Sequence, residues 1–154
     1  MRHFLFVLGF LVASSTSADV APREGWAVFP TDKDHATLVA DLKSAAKANG
    51  MGIVTQAGPT ATARKRGITI PENRVIGVFN NDFAVKVLAA STAAMIEAPI
   101  RFYVTENADG TATLSYKTPS YVFAPYSDEG GETLDNLASA LDAVFAEIAA
   151  QAID

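Results

Sequence analysis

The C-terminal part of the chain carries apolar side chains at spacings of three and four residues. This spacing places them on one side of an α-helix, with acidic residues on the opposite side. The stripe comprises Leu134, Leu137, Ala138, Leu141, Val144, Phe145 and Ile148. The pattern predicts an amphipathic helix within residues 132–154 whose apolar stripe belongs to the protein core.

A second local pattern predicts a β-hairpin. Residues 100–105 and 111–116 are rich in β-branched and aromatic side chains, and Asn107-Ala108-Asp109-Gly110 separates them. Glycine at this place takes a positive φ without steric strain, which suits a hairpin connection. The two runs are therefore expected to pair as antiparallel strands.

Three further apolar runs predict strands, at residues 26–29, 53–56 and 74–79. Residues 60–67 are compatible with one or two helical turns. Residues 68–71 should be extended, because a residue before proline avoids the helical region. Residues 118–131 are rich in Pro, Gly, Ser and Asp and predict a loop.

Two further helices are predicted between these strands. One has Asp34 as its N-cap and ends at Asn49-Gly50, where glycine provides a left-handed stop. The other runs from about Phe83 to Glu97 and ends before Pro99. Because the second helix is apolar on nearly every side, we expect it to be substantially buried.

The order of elements predicts the fold class. It reads strand, helix, strand, strand, helix, hairpin and helix, with no internal repeat or low-complexity linker. Since the hairpin is antiparallel and the helices need one sheet face to bury their apolar sides, an α+β fold is expected. We predict a two-layer sandwich, in which helices pack on one face of an antiparallel-rich mixed sheet of about five strands. Residues 19–154 should form a single domain around one core.

The first residues have the three-part layout of a secretory signal peptide. Arg2 precedes an apolar run over residues 4–13, and small residues follow from Ser14 to Ala18. The run is about half of the roughly 20 residues needed to span a bilayer. We therefore predict cleavage after Ala18, with a site after Ala21 as the alternative. The mature protein would be periplasmic or secreted, without stable membrane insertion.

Composition narrows the classes of function. The chain has no cysteine, so an exported form must be stabilised by packing alone, which its 49% hydrophobic content supports. Its net charge of −5 argues against a nucleic-acid partner, because phosphate binding needs clustered Lys and Arg. From Thr118 to Asp154 every charged residue is acidic. We interpret these acids as a solvated helix face; the alternative is that the last helix docks a basic partner.

The chain contains only two histidines, His3 and His35. Once His3 leaves with the signal peptide, His35 is the one imidazole of the mature chain. Zinc and haem sites usually use several Cys and His ligands. A nucleophilic Ser or Thr needs a base, for which His35 is the one imidazole, and the chain contains no G-x-S-x-G motif. We therefore expect no metal, no cofactor and no catalytic residues. Acid–base chemistry by Glu106 and Tyr116, on paired strands, is the enzymatic alternative.

The basic residues contrast with this acidic composition. Arg64-Lys65-Arg66 follows the second predicted strand, and Arg101 lies on the hairpin. If Arg101 lies near the start of the helix after Asn81, free backbone amides there would complete a site for a small anion. The alternative is that the three consecutive cations are solvated and that Arg101 pairs with Glu97 or Glu106.

Several short motifs, taken in order, resemble the bacterial family called domain of unknown function 302. They are Gly67-Ile68-Thr69-Ile70-Pro71, Val75-Ile76-Gly77-Val78-Phe79-Asn80-Asn81, Ala98-Pro99-Ile100-Arg101-Phe102-Tyr103-Val104, Asp109-Gly110 and Leu114-Ser115-Tyr116-Lys117-Thr118-Pro119. The resemblance covers residues 25–125. It implies a two-layer α+β fold and a homodimer, and it brings no established activity.

The chain departs from the family pattern at two places. Members commonly carry Phe-Gly-Asn-Pro where this chain reads Phe79-Asn80-Asn81-Asp82, and many carry a histidine near the position of Gly58-Pro59. A function that used this histidine is not expected here.

These observations predict an exported, non-catalytic domain that binds a ligand or assembles with protein, as a homodimer, with a small anion as the candidate ligand. The expected site residues are Asn80, Asn81, Arg101, Tyr103, Tyr116, Arg64 and Arg66. The alternative is an enzyme of undefined class that uses Glu and Tyr side chains without His or Cys.

Overall fold

A five-stranded sheet forms one layer of the protein in a computed structural model that describes residues 20–154. The strands are β1 (Trp26–Pro30), β2 (Gly52–Ala57), β3 (Asn73–Phe79), β4 (Ile100–Glu106) and β5 (Ala112–Lys117). Their order in the sheet is β1-β5-β4-β3-β2, and all neighbours pair antiparallel. The predicted hairpin is confirmed as β4 and β5. The sheet is antiparallel throughout, where a mixed sheet was predicted, because the helix between β1 and β2 joins the two edge strands, which do not pair.

Helices form the second layer. The α-helices of residues 20–154 are α1 (His35–Ala48), α2 (Thr60–Lys65), α3 (Asn81–Ala90), α4 (Pro119–Phe123) and α5 (Ser127–Ile153). Helix α1 packs on the sheet, and α5 packs in turn on α1, α3 and α4. Helix α1 begins as predicted, since the Asp34 carboxylate accepts a hydrogen bond from the Thr37 amide at 2.9 Å. The predicted α+β class and two-layer sandwich are confirmed.

An aromatic cluster joins the two layers. Phe102 of β4 stacks on Phe145 of α5 with ring centroids 4.6 Å apart, and the Tyr116 ring of β5 lies 5.5 Å from that of Phe145. All three side chains are almost completely buried. The rest of the α5 stripe is also buried at Leu134, Leu141 and Ile148. Helix α5 is therefore part of the core, as the apolar stripe predicts.

The segment predicted as a loop, residues 118–131, is mostly helical. The Thr118 hydroxyl caps the amide of Tyr121, and Pro119 occupies the first turn of α4, where a missing N–H costs nothing. A short 3-10 turn, Ala124–Tyr126, then leads into α5. Gly131 interrupts α5 with φ +55° and ψ −156°. The turn-forming composition therefore marks the ends of short helices and one helix break.

The helix predicted over residues 83–97 is two elements. Helix α3 ends at Ala90, Ser91 is extended, and a 3-10 turn follows at Ala94–Glu97. The Ser91 hydroxyl accepts a hydrogen bond from the Ala94 amide at 3.1 Å, which starts the second element. The predicted burial was wrong. Val85 is 59% and Leu88 49% exposed, because α3 lies at the margin of the helix layer and only Val87 is fully covered.

The predicted signal peptide, residues 1–18, lies outside the described residues, so cleavage after Ala18 and export stay predictions. Between Val20 and Asp154, no helix combines the length and the apolar character that crossing a membrane requires.

Candidate binding site

The face of the sheet opposite the aromatic cluster carries a second set of side chains. Strand register places Trp26 opposite Lys117 and Arg101 opposite Gly77. Lys117 and Arg101 are neighbours as well, since each lies one residue beyond the last β4–β5 pair, Phe102 and Tyr116. The next row on this face contains Ser115, Tyr103, Val75 and Ala57. Successive residues of a strand point to opposite faces, so neither row belongs to the core that Phe102 and Phe145 form.

Most side chains of these two rows form the floor of an open trough of about 610 Å³. Five strands contribute to it, and the 3-10 turn before β4 and helix α4 form one wall. The lining residues are Trp26, Ala57, Gly58, Pro59, Asn73, Val75, Glu97, Ile100, Arg101, Tyr103, Tyr116, Lys117 and Val122. The volume lies within the range of about 300–1,000 Å³ that is usual for small-molecule sites.

Gly77 allows Pro99 to lie close to the sheet, next to Arg101. It is buried in β3, and a Cβ atom there would lie 2.9 Å from the Cγ atom of Pro99 and would also overlap the Thr55 hydroxyl. Because Gly77 has no side chain, Pro99 packs directly on the strand next to Arg101. A larger side chain at position 77 would therefore displace Pro99, two residues before Arg101.

Two cations lie next to each other at one end of the trough. Arg101 and Lys117 are neighbours on β4 and β5, each one residue beyond the pair Phe102–Tyr116, and like charges that face each other across two strands are destabilising. Lys117 also lies 5.9 Å from the centroid of the Trp26 ring, and Arg23 lies 5.0 Å from it. Cations at such distances are attracted to the indole ring. The result is a positively charged corner with an aromatic side chain at its centre.

No carboxylate within residues 20–154 forms an ion pair with either cation; the ion pairs of this part of the chain are Lys33–Asp41 and Arg64–Glu72. Glu97 borders the trough, but one of its carboxylate oxygens accepts a hydrogen bond from the Tyr126 hydroxyl at 2.8 Å. The predicted alternative, that Arg101 pairs with Glu97 or Glu106, is therefore not what the structure shows.

The predicted site residues are dispersed. Arg101 and Tyr103 lie in the trough, whereas the Tyr116 ring is in the aromatic cluster, where burial raises the pKa of its hydroxyl. Arg64 pairs with Glu72, and Arg66 is exposed at the end of α2. Of the predicted set, Arg101, Tyr103 and Tyr116 border the trough, and the Tyr116 ring is at the same time part of the buried aromatic cluster.

Asn80 and Asn81 lie at the start of α3, where Asn80 is the N-cap. The Asn80 side chain accepts hydrogen bonds from the amides of Asp82 and Phe83 and donates one to the Gly50 carbonyl. Asn81 is exposed in the first turn. Asn80 also borders a separate small cavity of about 40 Å³ that Arg101 does not reach. The predicted anion corner between Arg101 and this helix start is therefore not formed.

Glu106 and Tyr116 are not an acid–base pair. The register places Glu106 opposite Ala112 and Tyr116 opposite Phe102, so they lie four residues apart along the hairpin, about 13 Å. The Glu106 carboxylate instead accepts a hydrogen bond from the Glu72 amide at 2.7 Å. The enzymatic alternative built on these two residues has no geometric support.

His35 lies near these acids at the start of α1. Burial lowers the pKa of its imidazole, Arg74 lowers it further, and Glu72, Glu106 and the Val104 carbonyl act in the opposite direction. The Nε2 atom is buried without a hydrogen-bond partner among the described residues. The arrangement favours the neutral imidazole. No group of three or more His, Asp or Glu side chains in residues 20–154 is placed to hold a metal ion.

We expect this histidine to make the stability of the domain depend on pH. Because the pKa of His35 is lower in the folded than in the unfolded state, the unfolded state binds more protons below about pH 6.5. The free energy of unfolding should therefore decrease as the pH falls from 7.5 to 5. Urea unfolding at both pH values checks this, with His35→Gln as the comparison. In His35→Gln the free energy of unfolding should decrease less between pH 7.5 and pH 5 than in the unchanged protein. An equal decrease in both would contradict the role given to His35.

Comparisons with known proteins agree with the fold. One solved structure, the crystal structure of an uncharacterised conserved DUF302 protein from Bacillus stearothermophilus, matches with a TM-score of 0.73 and 16% sequence identity. The match covers 84% of this chain and 98% of that one. No curated protein matches the sequence. A family model described as "Domain of unknown function DUF302" matches residues 28–148. Since that match runs from β1 to the last turns of α5, the chain belongs to the DUF302 family.

Proposed function

We propose that this protein is a non-catalytic binding domain that holds a small anionic molecule in the trough. The observation that carries the proposal is the pair Arg101 and Lys117, adjacent on neighbouring strands and without a carboxylate partner in residues 20–154. Two like charges in one cross-strand pair repel each other. An anion between them would remove this repulsion and gain two charged contacts.

The remaining lining supports a ligand with an apolar part. Trp26, Tyr103 and Val75 provide aromatic and aliphatic surface beside the two cations. Small-molecule sites commonly combine such surface with a few polar groups that fix orientation. An inorganic anion alone would leave this apolar surface in contact with water.

Binding of anilinonaphthalene sulfonate, followed by its fluorescence, tests the proposal. This probe combines one anionic group with aromatic rings. Hydrogen bonds to charged groups contribute about 1.5–3 kcal/mol, so Arg101→Gln and Lys117→Gln should each weaken binding by about tenfold or more. Both residues are exposed, and neither change should alter the unfolding midpoint substantially.

Two matched changes serve as controls. Lys86→Gln on α3 and Arg66→Gln after α2 remove exposed cations that do not line the trough. They should leave the affinity for the probe unchanged. Equal weakening in all four variants would show general electrostatic attraction, and unchanged affinity in the two trough variants would overturn the proposal.

Export and self-association complete the proposed function. The sequence pattern of residues 1–18 supports a periplasmic or secreted protein, and the family resemblance supports a homodimer. Native mass spectrometry of the protein from the exported fraction should show a chain that begins at Asp19 and a mass of two subunits. A mature chain that begins at Met1 in the cytosol would contradict export, and a single-subunit mass would contradict the dimer.

A further inference from the structure

The charged residues of the trough are confined to one end. Arg101, Lys117 and Glu97 lie where β4 begins and β5 ends. The opposite end, formed by Ala57, Gly58, Pro59, Asn73 and Val75 on β2, β3 and the turn after β2, contains no charged lining residue. The trough therefore has a cationic end and an uncharged, mainly apolar end.

Strand spacing gives the distance between the two ends. Lys117 lies on β5 and Ala57 on β2, three strands away across the sheet. Neighbouring strands are about 4.8 Å apart, so the edge strand β2 lies about 14 Å from Lys117 and about 10 Å from Arg101. Tyr103 and Val75 line the floor between these points.

From this polarity and length we infer that the ligand is a linear amphiphile with one anionic head group, such as a medium-chain carboxylate. The inference rests on the proposed binding function and adds the class of ligand. The head group lies between Arg101 and Lys117, and the chain crosses Tyr103 and Val75 toward Ala57. A head group midway between the two cations lies two and a half strand spacings, about 12 Å, from β2. Because C–C bonds of about 1.5 Å are inclined to the axis of an extended chain, each advances it by about 1.25 Å, and roughly ten carbons cover this distance.

The volume and the charges agree with this ligand. A trough of about 610 Å³ accommodates a single chain of this size together with water at its open side. A dianionic or highly polar ligand would place charge on the uncharged end, where the side chains of Val75 and Ala57 offer no compensating group.

Competition with anilinonaphthalene sulfonate by a series of fatty acids tests the inference. Decanoate should bind about ten- to a hundredfold more tightly than hexanoate, because each additional buried methylene contributes about 0.8 kcal/mol at most. Tetradecanoate should gain little more, because its extra methylenes extend beyond the edge strand β2 into solvent. Decanol, which has the same chain without charge, should bind at least tenfold more weakly than decanoate.

A variant at the uncharged end provides the structural test. Ala57→Trp should fill that end and weaken decanoate binding by about tenfold, while hexanoate, which does not reach Ala57, should be unaffected. Gln56→Trp is the matched control, because Gln56 precedes Ala57 on the same strand and does not line the trough. It should leave both affinities unchanged.

The outcomes separate the inference from the proposed function. If the probe and hexanoate bind in a manner that depends on Arg101 and Lys117, but affinity neither rises with chain length nor responds to Ala57→Trp, the trough binds an anion and the amphiphile inference is wrong. A steady rise in affinity through tetradecanoate would also contradict the inference, since it indicates unspecific partition. If neither the probe nor any carboxylate binds, the proposed function fails as well.

Discussion

Replacing Phe145 with alanine should lower the free energy of unfolding by about 3–5 kcal/mol, the range observed when a fully buried phenylalanine is truncated. Phe145 has no solvent exposure. Its ring stacks on Phe102 at 4.6 Å between centroids and also lies 5.5 Å from Tyr116. Truncation removes both aromatic contacts and leaves a cavity between α5 and the sheet. Urea unfolding at pH 7.5 measures the effect.

Two comparisons make this prediction specific. Asn136→Ala, an exposed change on the same helix, should alter the free energy of unfolding by no more than about 0.5 kcal/mol. Phe145→Ala should also retain the affinity for anilinonaphthalene sulfonate in the absence of urea, because Phe145 does not line the trough and the two cations lie on the other face of the sheet. A loss below about 1 kcal/mol would show that the aromatic cluster does not join the layers as described.

The sequence predicts the elements whose signals are local. The hairpin of β4 and β5 follows from two apolar runs and a turn that ends in glycine, and α5 follows from a stripe that repeats over many turns. Helix α1 is marked by its own cap at Asp34. In each case the residues that determine the element are close together in the chain, so the pattern is sufficient.

Where burial or pairing depends on distant residues, the sequence was less informative. Val85 and Leu88 of the apolar helix α3 are exposed because no further element in residues 20–154 covers its outer side. The composition of the helix alone does not predict this exposure. Residues 118–131 combine helix caps and helix breakers in a composition that is typical of loops. Whether such a segment is a loop or a series of short helices depends on its tertiary contacts. Here α4 packs on α5, Thr118 caps α4, and Gly131 interrupts α5.

The predicted hairpin brings the start of β4 near the end of β5 but does not give their register. Counting outward from the connection at residues 107–110 pairs Glu106 with residue 111 and Arg101 with residue 116, whereas Glu106 lies opposite Ala112, so Lys117 is the neighbour of Arg101. Trp26 could not be found in this way. Its position beside Lys117 depends on the pairing of β1 with β5, which are far apart in the sequence. The predicted pairing of Glu106 with Tyr116 failed because sharing a hairpin does not place two residues opposite each other.

Gly25→Ala should destabilise the domain and displace the first strand beside the trough. Gly25 has φ +70°, a conformation that costs a non-glycine residue about 1–3 kcal/mol, and a Cβ atom there would overlap the ring of Tyr121. Its carbonyl accepts a hydrogen bond from the Thr118 amide, so the strain is transmitted to the start of β1 and to the adjacent Trp26. Gly67→Ala is the matched control, with φ +73° and no atom within 4 Å of the new methyl group. Gly25→Ala should therefore lose more stability in urea than Gly67→Ala and should weaken probe binding, whereas equal losses in the two variants would show that Tyr121 moves aside without cost.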